Sequence, residues 1–166
     1  TLVQLQQTPP EFGVEFDLRN HGQEIIVTHD PFVIQGVTLD EWLDQYRHRF
    51  LIANVKEEGM EERLLAALHR HGVKDFFILD ESFPFIRKWA LQGVSKFAVR
   101  VSDLEAPQTA LQLMADLVRN NNKIDWVWLD CFSGAAPDPI TVMALRQAGY
   151  KLCYVSPELH HISDPR

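Results

Sequence analysis

Two cysteines in 166 residues, Cys131 and Cys153, are too few for a disulfide scaffold and lack metal-ligand spacing. Both sit in apolar runs that read as strands, so reduced, buried thiols are expected. Basic residues are also scarce. Sixteen Lys and Arg against twenty-three Asp and Glu give a formal charge of −7 and a pI near 5.4. No basic run is present to track a phosphate backbone, which argues against a nucleic-acid partner. Long apolar runs are missing as well: nothing approaches the ~18 consecutive residues of a membrane span. Thr1 to Gly13 has neither the basic start nor the apolar middle of a signal peptide, so a cytoplasmic protein without a transmembrane segment is expected. No feature of the sequence selects an oligomeric state.

Apolar residues, in contrast, are plentiful at 46%, with 10% aromatic, enough for a substantial core in one domain over residues 1–166. After the Pro9-Pro10 breaker, Gly13 to Arg19 alternates strictly between apolar and charged residues, as a strand with two differently solvated faces requires. Asn20-His21-Gly22 is a turn signal, and Ile25-Ile26-Val27 returns as a hairpin arm ending at His29-Asp30-Pro31. Thr38 to Tyr46 reads as a helix with Thr38 as N-cap and Glu41 completing a capping box. Five further apolar runs suit buried parallel strands: Phe50 to Lys56, Phe76 to Leu79, Phe97 to Val101, Trp126 to Asp130 and Leu152 to Val155. Helical patterns fill the gaps at Met60 to His71, Phe83 to Leu91, Pro107 to Arg119 and Pro139 to Ala148, with Gly72, Gly93 and Gly149 at the ends.

An alternating series of this kind is α/β. It closes either into a TIM-like (β/α) barrel or into an open, doubly wound sheet. Because a complete barrel takes at least ~200 residues, the barrel reading implies one with pieces missing, within a longer native polypeptide; the open sheet is the alternative.

In both architectures, chemistry gathers where strands hand over to loops at their carboxyl ends. There the sequence delivers Glu15, Asp17 and Arg19, then Asn54 and Lys56, Asp80 and Glu81, Arg100 and Ser102, Asp130, and lastly Ser156 and Glu158. This mixture of carboxylates and cations suits a divalent metal with an anionic ligand such as phosphate, although strand ends are also polar simply because they meet water. Glu15 and Asp17, at i and i+2, project from one face as two hard oxygen donors. His29 beside Asp30 reads either as an acid or base or as an ordinary turn residue. His160-His161 next to Glu158 reads as surface residues rather than a metal cluster, the pair Trp126 and Trp128 as packing rather than substrate stacking, and His69 with His71 as complements to a helix dipole without a further role.

Gly13-Val14-Glu15-Phe16-Asp17, the Gly-containing turn, the Ile-Ile-Val strand and His29-Asp30-Pro31 together resemble the core signature of glycerophosphodiester phosphodiesterases. Leu51 to Lys56 falls where that family has its next strand, which normally ends in Glu-x-Lys. The likeness is specific over residues 13 to 56 and architectural beyond them. It implies a TIM-like barrel, here with the missing pieces at both ends, that cuts a small phosphodiester with a divalent metal, Mg or Ca, and two histidines. Carried over by residue, it makes Glu15 and Asp17 metal ligands, His29 one catalytic histidine and Lys56 the cation facing the phosphate. From the polar strand ends rather than from the resemblance, Arg19, Arg100 and Glu158 are candidate substrate contacts. Two departures stand out. The family's other histidine lies in a His-Arg pair on a strand before the helix that Thr1-Leu2 resembles, and Asn54 takes the place of the third carboxylate, offering a neutral oxygen. The expected activity is therefore metal-dependent phosphodiester hydrolysis, and the competing expectation is a degenerate domain that binds a sugar or glycerol phosphate without cleaving it.

Overall fold

Alternation from Gly13 onward produces strand β1 (Gly13–His21), with Phe16 and Leu18 buried and Glu15, Asp17 and Arg19 on the other face. The structure, a computed structural model, describes residues 1–33 and 35–160. Its chain divides into two compact units at Glu81 and Ser82.

In the first unit, helix α1 (Leu2–Gln7) precedes β1, and Gly22, at φ +60°, turns the chain into β2 (Glu24–Val27). A two-residue strand β3 (Val37–Thr38) leads into helix α2 (Leu39–Gln45). Thr38 caps that helix reciprocally with Glu41, as the sequence predicts. Strand β4 (Phe50–Val55), helix α3 (Glu61–Arg70) and strand β5 (Phe76–Leu79) follow. The sheet order is β3-β2-β1-β4-β5, antiparallel through the hairpin and parallel from β1 to β5. Phe16 stacks on Trp42 of α2 with ring centroids 4.4 Å apart, while Leu51, Ala53, Phe77, Leu64 and Leu68 fill the core. Gly13 suits a close approach, since a Cβ there would lie 3.2 Å from Phe50 Cβ and from the Phe50 carbonyl oxygen, a tight contact.

One detail of register shapes the site. β4 runs along β1 from Gly13 to Leu18, whereas β2 pairs with β1 only from Leu18 to His21. The Asp17 carbonyl still accepts from the Thr28 N–H at 3.0 Å, and the opposite edge of β1 from Gly13 to Phe16 has no strand beside it among the described residues.

In the second unit, strands β6 (Ala98–Val101), β7 (Trp126–Leu129) and β8 (Lys151–Tyr154) form a parallel three-stranded sheet. Helices α4 (Phe83–Ala90), α5 (Pro107–Arg119) and α6 (Pro139–Gln147) each carry proline in the first turn, where its missing N–H costs nothing. A short 3₁₀ turn spans Pro157–His160. Tyr150 donates its hydroxyl to the Ala110 carbonyl at 2.7 Å inside this unit. Cys131 is buried, Cys153 half-buried, and both thiols are free, with pKa raised by burial.

The class is thus mixed α/β with parallel sheets, and neither sheet is closed among the described residues. The expected strand series is present, together with β3, which is too short to carry a period. No helix among the described residues is long and apolar enough to cross a membrane.

Candidate active site

A cleft of about 600 Å³ lies along the open edge of β1, bounded by α1 on one side and by Val27, Thr28 and His29 on the other. Strand alternation brings Glu15 and Asp17 to its lining, and the end of the hairpin brings His29. Parallel pairing adds the contribution of β4: Asp17 stands opposite Asn54, and the Lys56 N–H donates to the Leu18 carbonyl at 3.0 Å. Asn54 and Lys56 are outside the cleft lining but touch the residues that form it.

Asn54 is nine-tenths buried and donates Nδ2 to Glu15 Oε1 at 3.0 Å, while its own Oδ1 is buried without a hydrogen-bond partner. Lys56 Nζ lies 3.0 Å from Asp17 Oδ1 and 3.8 Å from Asp80 Oδ2. Glu15 borders the cleft and has open surface there, yet the protein atoms crowding its carboxyl strip away water and raise its pKa above the ordinary 4.5. The Asn54 amide pulls in the opposite direction, and the negative charge of Asp17 pushes it up again. Two carboxylates are therefore held close together at the cost of mutual repulsion, with one lysine partly neutralising them.

His29 is largely exposed, its side chain 72% accessible, and its Nδ1 is 3.1 Å from Asp30 Oδ1. Arg19 is engaged otherwise than as a free substrate contact: its Nε donates to the His29 carbonyl at 3.0 Å and its Nη1 approaches Glu57 at 3.6 Å. Arg63 holds the hairpin from below, donating to Asn20 Oδ1 and, at 2.8 Å, to the Gln23 carbonyl.

Two residues at the end of β5 carry more weight than the sequence suggests. Asp80 adopts left-handed backbone, φ +66°, and Glu81 is buried. Neither Glu81 oxygen meets a donor. Desolvation, with the adjacent Glu61 carboxylate second, raises the pKa of Glu81 to about 8. A proton on Glu81 removes its charge from these buried surroundings and ends its repulsion with Glu61. The left-handed turn was the missing signal: a polar pair at a strand end reads as solvated until that turn sends the second residue inward.

Arg100 and Glu158 belong to the second unit. Arg100 pairs with the buried Asp130 at 3.3 Å and reaches toward Glu105 at 3.9 Å; Glu158 is exposed and accepts from Ser156 Oγ. His160, read from the sequence as a surface residue, instead places Nε2 2.5 Å from Asp130 Oδ1 and packs its ring against Phe132. Its partner in sequence, His161, lies outside the described residues. No group of three or more His, Cys, Asp or Glu side chains among the described residues is arranged to hold a metal ion.

No protein-family model matches the chain, and no curated protein matches it. Among solved structures, it is similar to a crystal structure, at 2.05 Å resolution, of an Agrobacterium tumefaciens protein provisionally assigned as a glycerophosphoryl diester phosphodiesterase. The TM-score is 0.65 at 15% identity, over 92% of this chain and 75% of that one. At that identity the similarity is one of fold.

Proposed function

We propose that this chain is a phosphodiester hydrolase of the glycerophosphodiester class, a barrel-type α/β domain whose site is the cleft beside β1. The observation that carries the reading is the meeting of Glu15, Asp17 and His29 on one cleft with Lys56 at 3.0 Å from Asp17. The similarity in fold to a provisionally assigned phosphodiesterase agrees with it.

A hard divalent cation suits the donors. Glu15 and Asp17 repel one another, and the buried Asn54 Oδ1 lacks a partner, so a cation would relieve both defects. Mg is the better fit than Ca, because it commonly keeps several waters and needs only one or two protein carboxylates plus a substrate phosphate. When bound, it would supply positive charge to the phosphoryl oxygens. The chain's own groups do the rest. Lys56 stabilises negative charge building on the non-bridging oxygens in the transition state. His29 moves a proton at the attacking or leaving oxygen through Nε2, with Asp30 orienting its ring. Arg19 fixes the backbone that carries that ring.

The test is hydrolysis of glycerophosphodiesters and of bis(p-nitrophenyl) phosphate by the full chain, with Mg²⁺ and with chelator. Metal-dependent turnover that falls at least ~100-fold in His29→Ala supports the reading, on the usual scale of acid–base catalysis. Turnover unaffected by that substitution refutes the role of His29. Asn54 favours a second reading, anion binding without cleavage, because its neutral amide stands where a third carboxylate would strengthen the cation. Calorimetric binding of glycerol phosphate with no turnover under any metal condition would select it.

A further inference from the structure

Lys56 stands between two carboxylates with different surroundings. Asp17, at 3.0 Å, lines the cleft, whereas Asp80, at 3.8 Å, does not. All three side chains are about one-fifth exposed, so the charges are only partly screened by water. Asp80 also holds left-handed backbone, φ +66°, a conformation that non-glycine residues adopt infrequently and that aspartate tolerates better than most. That turn ends β5 with the Asp80 carboxylate in reach of Lys56.

An ammonium and a divalent cation cannot share Asp17 comfortably. The cation needs the same carboxylate oxygens, and its two charges would face the ammonium at short range. Lys56 then has to leave Asp17, and Asp80 is already within ion-pair reach.

We propose that Asp80 is a positioning residue for Lys56, receiving its ammonium when a divalent cation takes Glu15 and Asp17. The Lys56–Asp17 pair is then a lock that the cation displaces, and Asp80 is the catch that anchors the released ammonium beside the site. This rests on the cation site proposed above. Binding of the cation and release of Lys56 from Asp17 become one event. By reciprocity, an anion that draws Lys56 off Asp17 strengthens cation binding.

The experiment is a double-mutant cycle on the full chain, with Mn²⁺ as the probe and the free-ion electron paramagnetic resonance signal as the readout. Lys56→Met removes the competitor and should tighten Mn²⁺ binding roughly fivefold to tenfold, the equivalent of a partly exposed ion pair. Asp80→Asn removes the catch and should weaken binding about threefold or more. In the Lys56→Met background, Asp80→Asn should have almost no effect. An equal loss in both backgrounds would show that Asp80 acts on the cation directly, which overturns the proposal while leaving the cation site standing. No change in either single variant also overturns it. Absence of Mn²⁺ binding in all four proteins sinks the cation site itself, and the proposal with it. Lys56→Gln, checked by circular dichroism, replaces Lys56→Met should the latter fail to fold, and Lys56→Arg, which keeps the charge, should not show the tightening.

Discussion

Glu81 offers the sharpest test of the physical reasoning at the β5 end. Its side chain is 7% exposed, neither oxygen meets a donor, and its pKa rises from 4.5 to about 8, chiefly through desolvation and then through Glu61. The folded state therefore keeps a proton that the unfolded chain releases at its ordinary value. Below about 4.5 both states are protonated, and above about 8 both are ionised. Between these limits unfolding releases a proton, so stability must fall as the pH rises. At ~1.36 kcal/mol per pKa unit the full interval corresponds to roughly 5 kcal/mol. Local relaxation and water entry reduce the realised loss to about 2 kcal/mol. Glu81→Gln keeps the volume, removes the charge and can still donate to Glu61. Urea unfolding followed by circular dichroism, from about pH 5 to about pH 9, should give nearly equal stabilities for the two proteins at the acid end. At the alkaline end the variant should lead by about 2 kcal/mol, the value reached above. Parallel curves for wild type and variant over the whole range would refute a buried, proton-holding Glu81.

Arg63→Ala should release the β1–β2 hairpin, because Arg63 supplies bonds to Asn20 and to the Gln23 carbonyl that nothing else replaces. A local cost of about 1–2 kcal/mol should speed amide exchange across Glu24–Val27 by roughly tenfold, read by hydrogen–deuterium exchange. Tyr150→Phe leaves the buried Ala110 carbonyl without its 2.7 Å donor and should lower the stability of the second unit by about 1–2 kcal/mol in chemical denaturation. Burial raises the pKa of that phenol, so the tyrosine stays a donor throughout the neutral range and the loss should be independent of pH there.

Much of the fold was legible because the signals were local. The alternation of Gly13 to Arg19 names its own faces, Thr38 with Glu41 announces a helix start, and Pro107 and Pro139 open helices where proline is tolerated. β3 was not legible, since two residues show no period. The carboxylate pair of the site was readable from i and i+2 spacing. Its neighbours were not: that Asp17 faces Asn54 is a fact of parallel register, and register is fixed by long-range pairing and packing of whole faces. For the same reason Arg19 looked available to a ligand, whereas the returning hairpin brings the His29 carbonyl to its guanidinium. His160 looked like a surface residue because its partner, Asp130, is thirty positions away on another strand end.

Among the described residues no strand pairs with the flank of β1 away from β4, from Gly13 to Phe16. An uncovered stretch of backbone is a template on which a neighbouring molecule could stack as an additional strand. Here the side chains include Glu15 within that stretch and Asp17 at its end, and a second copy brought alongside would set like charges against each other. The same two acids that give the cleft its chemistry would thus oppose edge-to-edge pairing of molecules through this stretch.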